Sequence, residues 1–176
     1  VGGSPDALAL IKKLGVKDLD QFANGGAYQR ISSRAAPHNV YTDFTKLDAL
    51  NKSKGYNTST FTPWERKADV PQTPTASIID LNVSGPTYSP RFTYDVATNS
   101  YLRLQEGEPH LVIAKDQTTK KQISPKTVVV LVTTYGIEND RIHSIYRTTG
   151  TGNMYVFQDG IVSTGTWSRA DAKAQY

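Results

Sequence analysis

Cysteine is absent from this 176-residue chain. Its absence excludes disulfide bonds, thiolate metal sites and a cysteine nucleophile. It is compatible with an exported bacterial protein, because a chain without thiols avoids stray oxidation outside the cell. No apolar run approaches the roughly 20 residues that a helix needs to span a bilayer, and no signal peptide is visible. The chain opens at Val1 rather than with a leader, so we expect a fragment whose targeting signal lies upstream.

Long runs of Lys or Arg are also absent, although the net charge is +4 and the isoelectric point is about 9.2. A mildly basic protein attracts polyanions such as nucleic acid, anionic lipid or anionic wall polymers. No basic-aromatic motif of an RNA- or DNA-binding module is present, so nucleic acid is the least favoured partner. The acidic residues form no compact carboxylate pair, and glycoside hydrolysis is therefore not indicated.

Residues 1–176 are expected to form a single domain, because a chain of this length with 38% apolar residues can build one core. Residues 56–76 hold three prolines, five threonines and one serine, and we expect a Pro/Thr-rich loop there. Apolar residues recur with a helical period before this loop and with a strand-like period after it.

Two helices are predicted before the loop. Ser4 is a good N-terminal cap for the first helix, and Gly15 supplies its C-terminal stop. The second helix is expected over about residues 42–54, with Thr42 or Asp43 as its cap.

Alternating and β-branched runs predict strands in the second half of the chain. The run Val128 to Val132 is continuous and β-branched, which is typical of a central strand buried on both faces. Asp159-Gly160 is typical of a tight hairpin turn. The predicted strands are 78–83, 91–95, 100–105, 109–114, 128–132, 142–146, 154–158 and 161–167. We therefore expect an α+β fold in which two helices pack on a mainly antiparallel sheet of about seven strands.

Two segments combine a proline, a histidine and a nearby arginine: Pro37-His38-Asn39 lies close to Arg34, and Pro109-His110 lies close to Arg103. Each proline restricts the backbone before the imidazole, and histidine is the usual general base near neutral pH. Each histidine could equally satisfy a loop or strand-end carbonyl. Because arginine forks bind carboxylate and phosphate, convergence of the two segments would create an anion site.

The start of the first helix is a further candidate. Gly2-Gly3-Ser4 precedes Pro5, and exposed amides at a helix start favour an anion. A tight loop with a capped helix explains the same residues. Ser4 lacks the Gly-x-Ser-x-Gly elbow of a nucleophile. No paired-histidine helix motif of a metal site is present, although two distant histidines could join Asp43 or Asp95 in space, and we predict neither a metal nor a cofactor.

The order and spacing of several segments resemble those of the YerB-like bacterial lipoproteins, a family classed as a domain of unknown function. The segments are Gly2 to Pro5, Arg34 to Thr42, Tyr101 to Arg103, Gly107 to His110, Gly150 to Gly152, Val156 to Gly160 and Gly165 to Trp167. The resemblance covers most of the chain. It implies an extracytoplasmic protein, membrane-anchored through a lipidated cysteine upstream of this chain, which would be the C-terminal fragment of a longer lipoprotein.

Two departures from the family pattern limit what the resemblance implies about activity. Family members continue upstream with an arginine-bearing segment and downstream with a further hairpin. They also carry an acidic residue after the second Pro-His, where this chain has Leu111. If that acid orients the imidazole of His110, this chain lacks the orienting group.

Three classes of function follow. The leading hypothesis is a cell-envelope binding module for an anionic wall polymer or an envelope protein, and the second is a hydrolase or transferase with His38 or His110 as general base. The third is a scaffold that presents the Pro/Thr-rich loop and exposed tyrosines to a partner protein. The candidate ligand-binding residues are Arg34, His38, Asn39, Tyr101, Arg103, His110, Gly2, Gly3 and Ser4.

Overall fold

The computed structural model describes residues 4–83, 85–113 and 118–174. Residues up to Trp64 form one compact unit, and those from Glu65 to Ala174 form a second. The boundary lies in the predicted Pro/Thr-rich loop, and residues 56–76 adopt neither helix nor strand. None of the described helices is long and apolar enough to cross a membrane.

The first helix of the N-terminal unit is α1, Pro5–Leu14. The Ser4 hydroxyl accepts a hydrogen bond from the amide of Ala7 at 3.2 Å, as a capping residue does. Gly15 ends the helix in the left-handed conformation, with φ at +64°. Both ends of the predicted helix are therefore confirmed.

The second helix, α2 (Phe44–Ser53), is also confirmed. The Asp43 carboxylate caps it by accepting from the amide of Lys46 at 2.9 Å. Between the helices, β1 (Gln29–Arg30) and β2 (Val40–Tyr41) pair as a short antiparallel ribbon.

The C-terminal unit consists of short antiparallel strands. They are β3 (Ile78–Asp80), β4 (Pro90–Asp95), β5 (Ser100–Gln105), β6 (Glu108–Pro109), β7 (Leu111–Ile113), β8 (Lys120–Gln122), β9 (Thr127–Leu131), β10 (Tyr135–Ile137), β11 (Ser144–Tyr146), β12 (Gly150–Gln158) and β13 (Ile161–Arg169). The order β3-β4-β5-β6 forms a four-stranded sheet and β13-β12-β9 a three-stranded sheet. The remaining strands form the ribbons β7–β8 and β10–β11.

Both larger sheets contribute to the core of this unit. Side chains of the four-stranded sheet pack with Val128 of β9, and they are Ile79, Phe92, Tyr94 and Tyr101. Tyr101 is completely buried. The predicted hairpin of β4 and β5 is confirmed, and so is the turn at Asp159-Gly160, because Gln158 pairs with Ile161 across it.

The expected single sheet of about seven strands with two helices packed on it is wrong. The described part of the chain has 13 strands in separate sheets of two to four strands, and both helices belong to the N-terminal unit. One physical reason lies at His110, where the chain changes partners. Its amide donates to the carbonyl of Arg103 in β5, whereas its carbonyl accepts from the amide of Ile123 beyond β8. The predicted strand over 109–114 is thereby divided into β6 and β7, and Ala114 lies outside the described residues.

The prediction that Val128 to Val132 is buried on both faces is also wrong. β9 lies at the edge of its sheet and pairs with β12. Successive side chains of a strand point to opposite faces, so Val128 is 7% exposed whereas Val129 is 41% exposed. Continuity of apolar residues did not distinguish an edge strand with one buried face from a central strand.

Trp167 packs against a glycine in the neighbouring strand. Its side chain is buried, and the indole N–H donates to the carbonyl of Val132 at 2.9 Å. Gly152 lies opposite Trp167 in the β12–β13 ladder. A Cβ at Gly152 would lie 2.4 Å from the Val132 oxygen and 2.5 Å from the Trp167 indole nitrogen. Gly152 is therefore required for this packing.

We predict that Gly152→Ala destabilises the protein by about 1–3 kcal/mol, the usual cost of overpacking a filled site. Gly165→Ala is the matched control in the same hairpin, because its Cβ would meet only the terminal methyl of Met154 at 3.5 Å. Urea unfolding of both variants measures the difference. Equal stabilities of the two variants would contradict the packing described for Trp167.

Candidate functional site

The first Pro-His segment lies in the N-terminal unit, in the turns between β1 and β2. Arg34 and His38 are exposed, and neither bonds to a described residue. Asn39 has a local structural role: its side-chain oxygen accepts from Arg30 at 2.6 Å, and its side-chain nitrogen donates to the carbonyl of Ile31 at 3.0 Å. The loop is therefore closed by Asn39, while Arg34 and His38 remain available on its surface.

The predicted anion site at the start of α1 has a simpler explanation at Ser4, whose hydroxyl caps the helix. Gly2 and Gly3 lie outside the described residues. The structure therefore assigns Ser4 to helix capping.

The second arginine, Arg103, lies on the core side of the four-stranded sheet. It pairs with Phe92 in the β4–β5 ladder, and its guanidinium carbon lies 5.9 Å from the centre of the Phe92 ring. Because alternate residues of a strand share a face, Arg103 projects from the same face as buried Tyr101. A cation is thus placed at the margin of an apolar core.

His110 lies beside Arg103 on this face. The pairing of Gln105 with Glu108 sets the register of β5 and β6, and the amide of His110 donates to the carbonyl of Arg103 at 3.0 Å. Side chains at directly opposed positions share a face, with Cβ atoms about 4.5–5.5 Å apart. His110 and Arg103 therefore lie side by side.

Two nitrogen atoms of this pair are buried without a hydrogen-bond partner. They are Nε of Arg103 and Nδ1 of His110, and no other side-chain atom in the described ranges shares this property. An unsatisfied buried polar group costs about 1–3 kcal/mol, and more if it is charged. Such groups in native proteins usually have a water, an ion or a ligand as partner. We call this pair the Arg103–His110 site.

Neighbouring amides hold Arg103 in place. Its Nη2 donates to the side-chain oxygen of Gln105 at 3.0 Å, and its backbone carbonyl accepts from the side chain of Gln122 at 2.9 Å. Gln105 is itself oriented by a hydrogen bond to the carbonyl of Thr87. The guanidinium is therefore held in one orientation, which would reduce the ordering that binding of a ligand requires.

Tyr101, also predicted to bind a ligand, is part of the core. Its side chain is fully buried, its hydroxyl accepts from the amide of Gly160 at 3.2 Å, and its ring centre lies 5.0 Å from that of Tyr94. Burial raises the pKa of Tyr101 above its ordinary value. This tyrosine positions β5 beneath the β12–β13 turn.

Sequence reasoning did not find the buried polar cluster at that turn. Asp159 accepts from the side chain of Asn99 at 2.8 Å, and Asn99 in turn accepts from the hydroxyl of Tyr94 at 2.6 Å. The second carboxylate oxygen of Asp159 bonds to the ammonium of Lys67. We call these four residues the Asp159 network. Only the Asp-Gly turn was visible in sequence, since Asn99 and Lys67 are 60 and 92 residues away.

The same turn holds part of the Pro/Thr-rich loop. The carbonyl of Asp159 accepts from the amide of Gln72, and that of Gly160 accepts from the amides of Thr75 and Ala76, each at 3.0 Å. The β12–β13 turn therefore contacts two other segments of the C-terminal unit, the Pro/Thr-rich loop and the β4–β5 turn.

The expected convergence of all four site residues stays a prediction. Arg34 and His38 belong to the N-terminal unit, whereas Arg103 and His110 belong to the C-terminal unit. The structure brings Arg103 and His110 together within their own unit.

This two-unit fold belongs to a family of unknown function. Residues 1–57 match the family described as "Protein of unknown function (DUF3048) N-terminal domain", and residues 79–176 match its "C-terminal domain". The chain is a member of the DUF3048 family, as its resemblance to the YerB-like proteins predicted. No curated protein matches it.

A solved structure supports the same fold. The crystal structure of the YerB protein from Bacillus subtilis is similar, with a TM-score of 0.71, 21% identity and coverage of 96% of this chain. The match spans 57% of the YerB chain. A likeness at this identity shows the shared fold.

Asp159 makes the stability of the C-terminal unit depend on pH. The hydrogen bond from Lys67, followed by that from Asn99, lowers the pKa of Asp159 below its ordinary value. A carboxyl group with a lowered folded-state pKa stabilises the fold above its unfolded pKa of about 3.9, and this stabilisation is lost as the pH falls through the folded pKa. We predict that Asp159→Asn destabilises the unit at neutral pH by about 1–3 kcal/mol and removes this part of the acid dependence.

Unfolding free energies measured between neutral and acidic pH test this prediction. Asp69→Asn is the control, because Asp69 forms an exposed ion pair with Lys126, and such pairs contribute about 0–1 kcal/mol. Identical pH profiles for the two variants would rule out a special role for Asp159.

Proposed function

We propose that this protein is a binding protein of the cell envelope that recognises an anionic group of a wall polymer through the Arg103–His110 site. The observation that carries the proposal is that Arg103 and His110, joined by a backbone hydrogen bond, each have a buried side-chain nitrogen without a partner. Both are potential donors, and a carboxylate or phosphate offers only acceptors to them. The polymer, rather than a free small anion, is favoured by the net charge of +4, which attracts an extended polyanion.

The surroundings of Arg103 support recognition of an anion. Gln105 holds one edge of its guanidinium, and the Phe92 ring lies against the guanidinium group. Nε of the same guanidinium is left without a partner. An entering oxyanion would bond to Nε, and it could gain a second bond if Gln105 released Nη2. Bidentate bonds of this kind supply both orientation and energy.

Catalysis by His110 as a general base receives less support. An imidazole base is usually oriented by a carboxylate or a carbonyl on its other nitrogen. Nδ1 of His110 has no partner among the described residues, and Leu111 occupies the next position in the chain. We therefore prefer binding to the alternative of a hydrolase or transferase.

The location outside the cytoplasm is part of the same proposal. Its support is the cysteine-free composition and what the resemblance to the YerB-like lipoproteins implies. We propose that the full-length protein is held at the membrane by a lipid anchor, so that the Arg103–His110 site faces the wall. The scaffold alternative, which uses the Pro/Thr-rich loop, is weakened by the three amides of that loop that bond to the β12–β13 turn.

We predict that Arg103→Lys weakens binding of an anionic wall polymer even though the charge is kept, because lysine has no fork. Loss of one charge-assisted hydrogen bond is worth about 1.5–3 kcal/mol, which is at least about tenfold in Kd. Calorimetric titration with a poly(glycerol phosphate) oligomer and with a carboxylate-bearing muropeptide measures this change and identifies the preferred anion.

Arg66→Lys is the control variant, since Arg66 is an exposed arginine of the same unit. It should bind as the unchanged protein does, and affinity should fall with added salt. The proposal is refuted if neither polymer binds, or if the two lysine variants bind equally well.

A further inference from the structure

A second group of chemically active side chains lies at the tip of the β10–β11 hairpin, away in sequence from the Arg103–His110 site. The loop of this hairpin carries Glu138, Asp140 and His143. One carboxylate oxygen from each acid and one imidazole nitrogen all lie within 4.8 Å of one another. The set combines nitrogen and oxygen donors, which distinguishes it from a surface cluster of acids.

The backbone of the loop holds these residues together. Oδ1 of Asp140 accepts from the amides of Ile142 and His143 at 2.9 and 3.0 Å. The amide of Glu138 donates to the carbonyl of His143 at 2.9 Å, and that of Arg141 donates to the carbonyl of Glu138 at 2.9 Å. The three donors are therefore assembled by a closed hairpin loop.

The distances between the three donor atoms allow them to bind one metal ion together. Ligand atoms bound about 2.0–2.2 Å from the same metal lie no more than about 4.4 Å apart, so side-chain adjustments of under about 1 Å bring the set into range. Nδ1 of His143 already lies 2.5 Å from Oδ2 of Asp140. A bound metal ion would replace the proton shared by these two atoms, and the atoms would move apart to roughly 3 Å to bind it.

The donor types select a class of ion. Calcium and magnesium prefer oxygen ligands, whereas one imidazole with carboxylates suits zinc and neighbouring transition metals. The His143 and Asp140 side chains are 43% and 35% exposed, so solvent can fill the remaining coordination positions. We propose that Glu138, Asp140 and His143 bind a divalent transition-metal ion of the zinc class at the hairpin tip. We predicted no metal from the sequence, and the spacing Glu138-x-Asp140-x-x-His143 did not enter that prediction.

Calorimetric titration of the full chain with Zn²⁺ tests the proposal. Glu138→Gln and His143→Gln should each weaken binding by at least about tenfold, since even the loss of an outer-shell partner costs about 10- to 100-fold. His38→Gln is the control, because His38 is an exposed histidine of the other unit. Unchanged thermal unfolding of the metal-free variants shows that the hairpin is retained.

A spectroscopic measurement keeps the test independent of any folding defect. The chain has three histidines, so their imidazole signals can be assigned from the Gln variants at positions 38, 110 and 143. Substoichiometric Co²⁺ should shift and broaden the His143 signals and leave those of His38 and His110 unchanged. The proposal is overturned if Zn²⁺ does not bind, if His143→Gln binds as well as His38→Gln, or if Co²⁺ acts first on another histidine.

Discussion

The hydrogen bond between the Asn99 side chain and the Asp159 carboxylate joins the turns of two hairpins, and the architecture of the C-terminal unit depends on it. Asn99 and Asp159 are only 6% and 5% exposed. A buried amide or carboxylate without its partner would cost about 1–3 kcal/mol, so the contact permits one relative arrangement of the β4–β5 and β12–β13 hairpins. Lys67 completes the arrangement by supplying the opposite charge.

The candidate site follows from that arrangement. Tyr101 lies directly below the β12–β13 turn, where its hydroxyl meets the amide of Gly160. Arg103 is two residues further along β5 and projects from the same face of the sheet. Along this face of β5 the side chains therefore change from a buried aromatic ring at Tyr101 to a cation at Arg103. His110 lies beside Arg103 and adds a second polar side chain there. We propose that an anion binds at this border between packed aromatic rings and unpaired nitrogens.

Local signals predicted local structure well. Ser4 and Gly15 delimit α1 because capping acts within one turn, and Asp159-Gly160 forms its turn because both residues tolerate positive φ, at +55° and +82°. The assembly of sheets was not predictable, because a partner strand far along the chain determines which face of Val128 and Val129 is buried. The Pro-His motifs identified Arg103 and His110, whereas the spacing that would have indicated the Glu138–His143 cluster was overlooked.

The rate at which the Nε proton of Arg103 exchanges with water tests most directly whether this nitrogen is buried and available to an anion. Hydrogen exchange of the arginine Nε protons can be measured by NMR in the ligand-free protein. The Arg103 proton should exchange slowly because it is buried, and the Arg34 proton should exchange rapidly because it is exposed. Addition of the anionic polymer fragment should shift the Arg103 signal. The account would be contradicted if the Nε proton of Arg103 exchanged as fast as that of Arg34 and its signal did not shift when the fragment was added. Arg103 Nε would then be neither buried nor the donor that binds the anion.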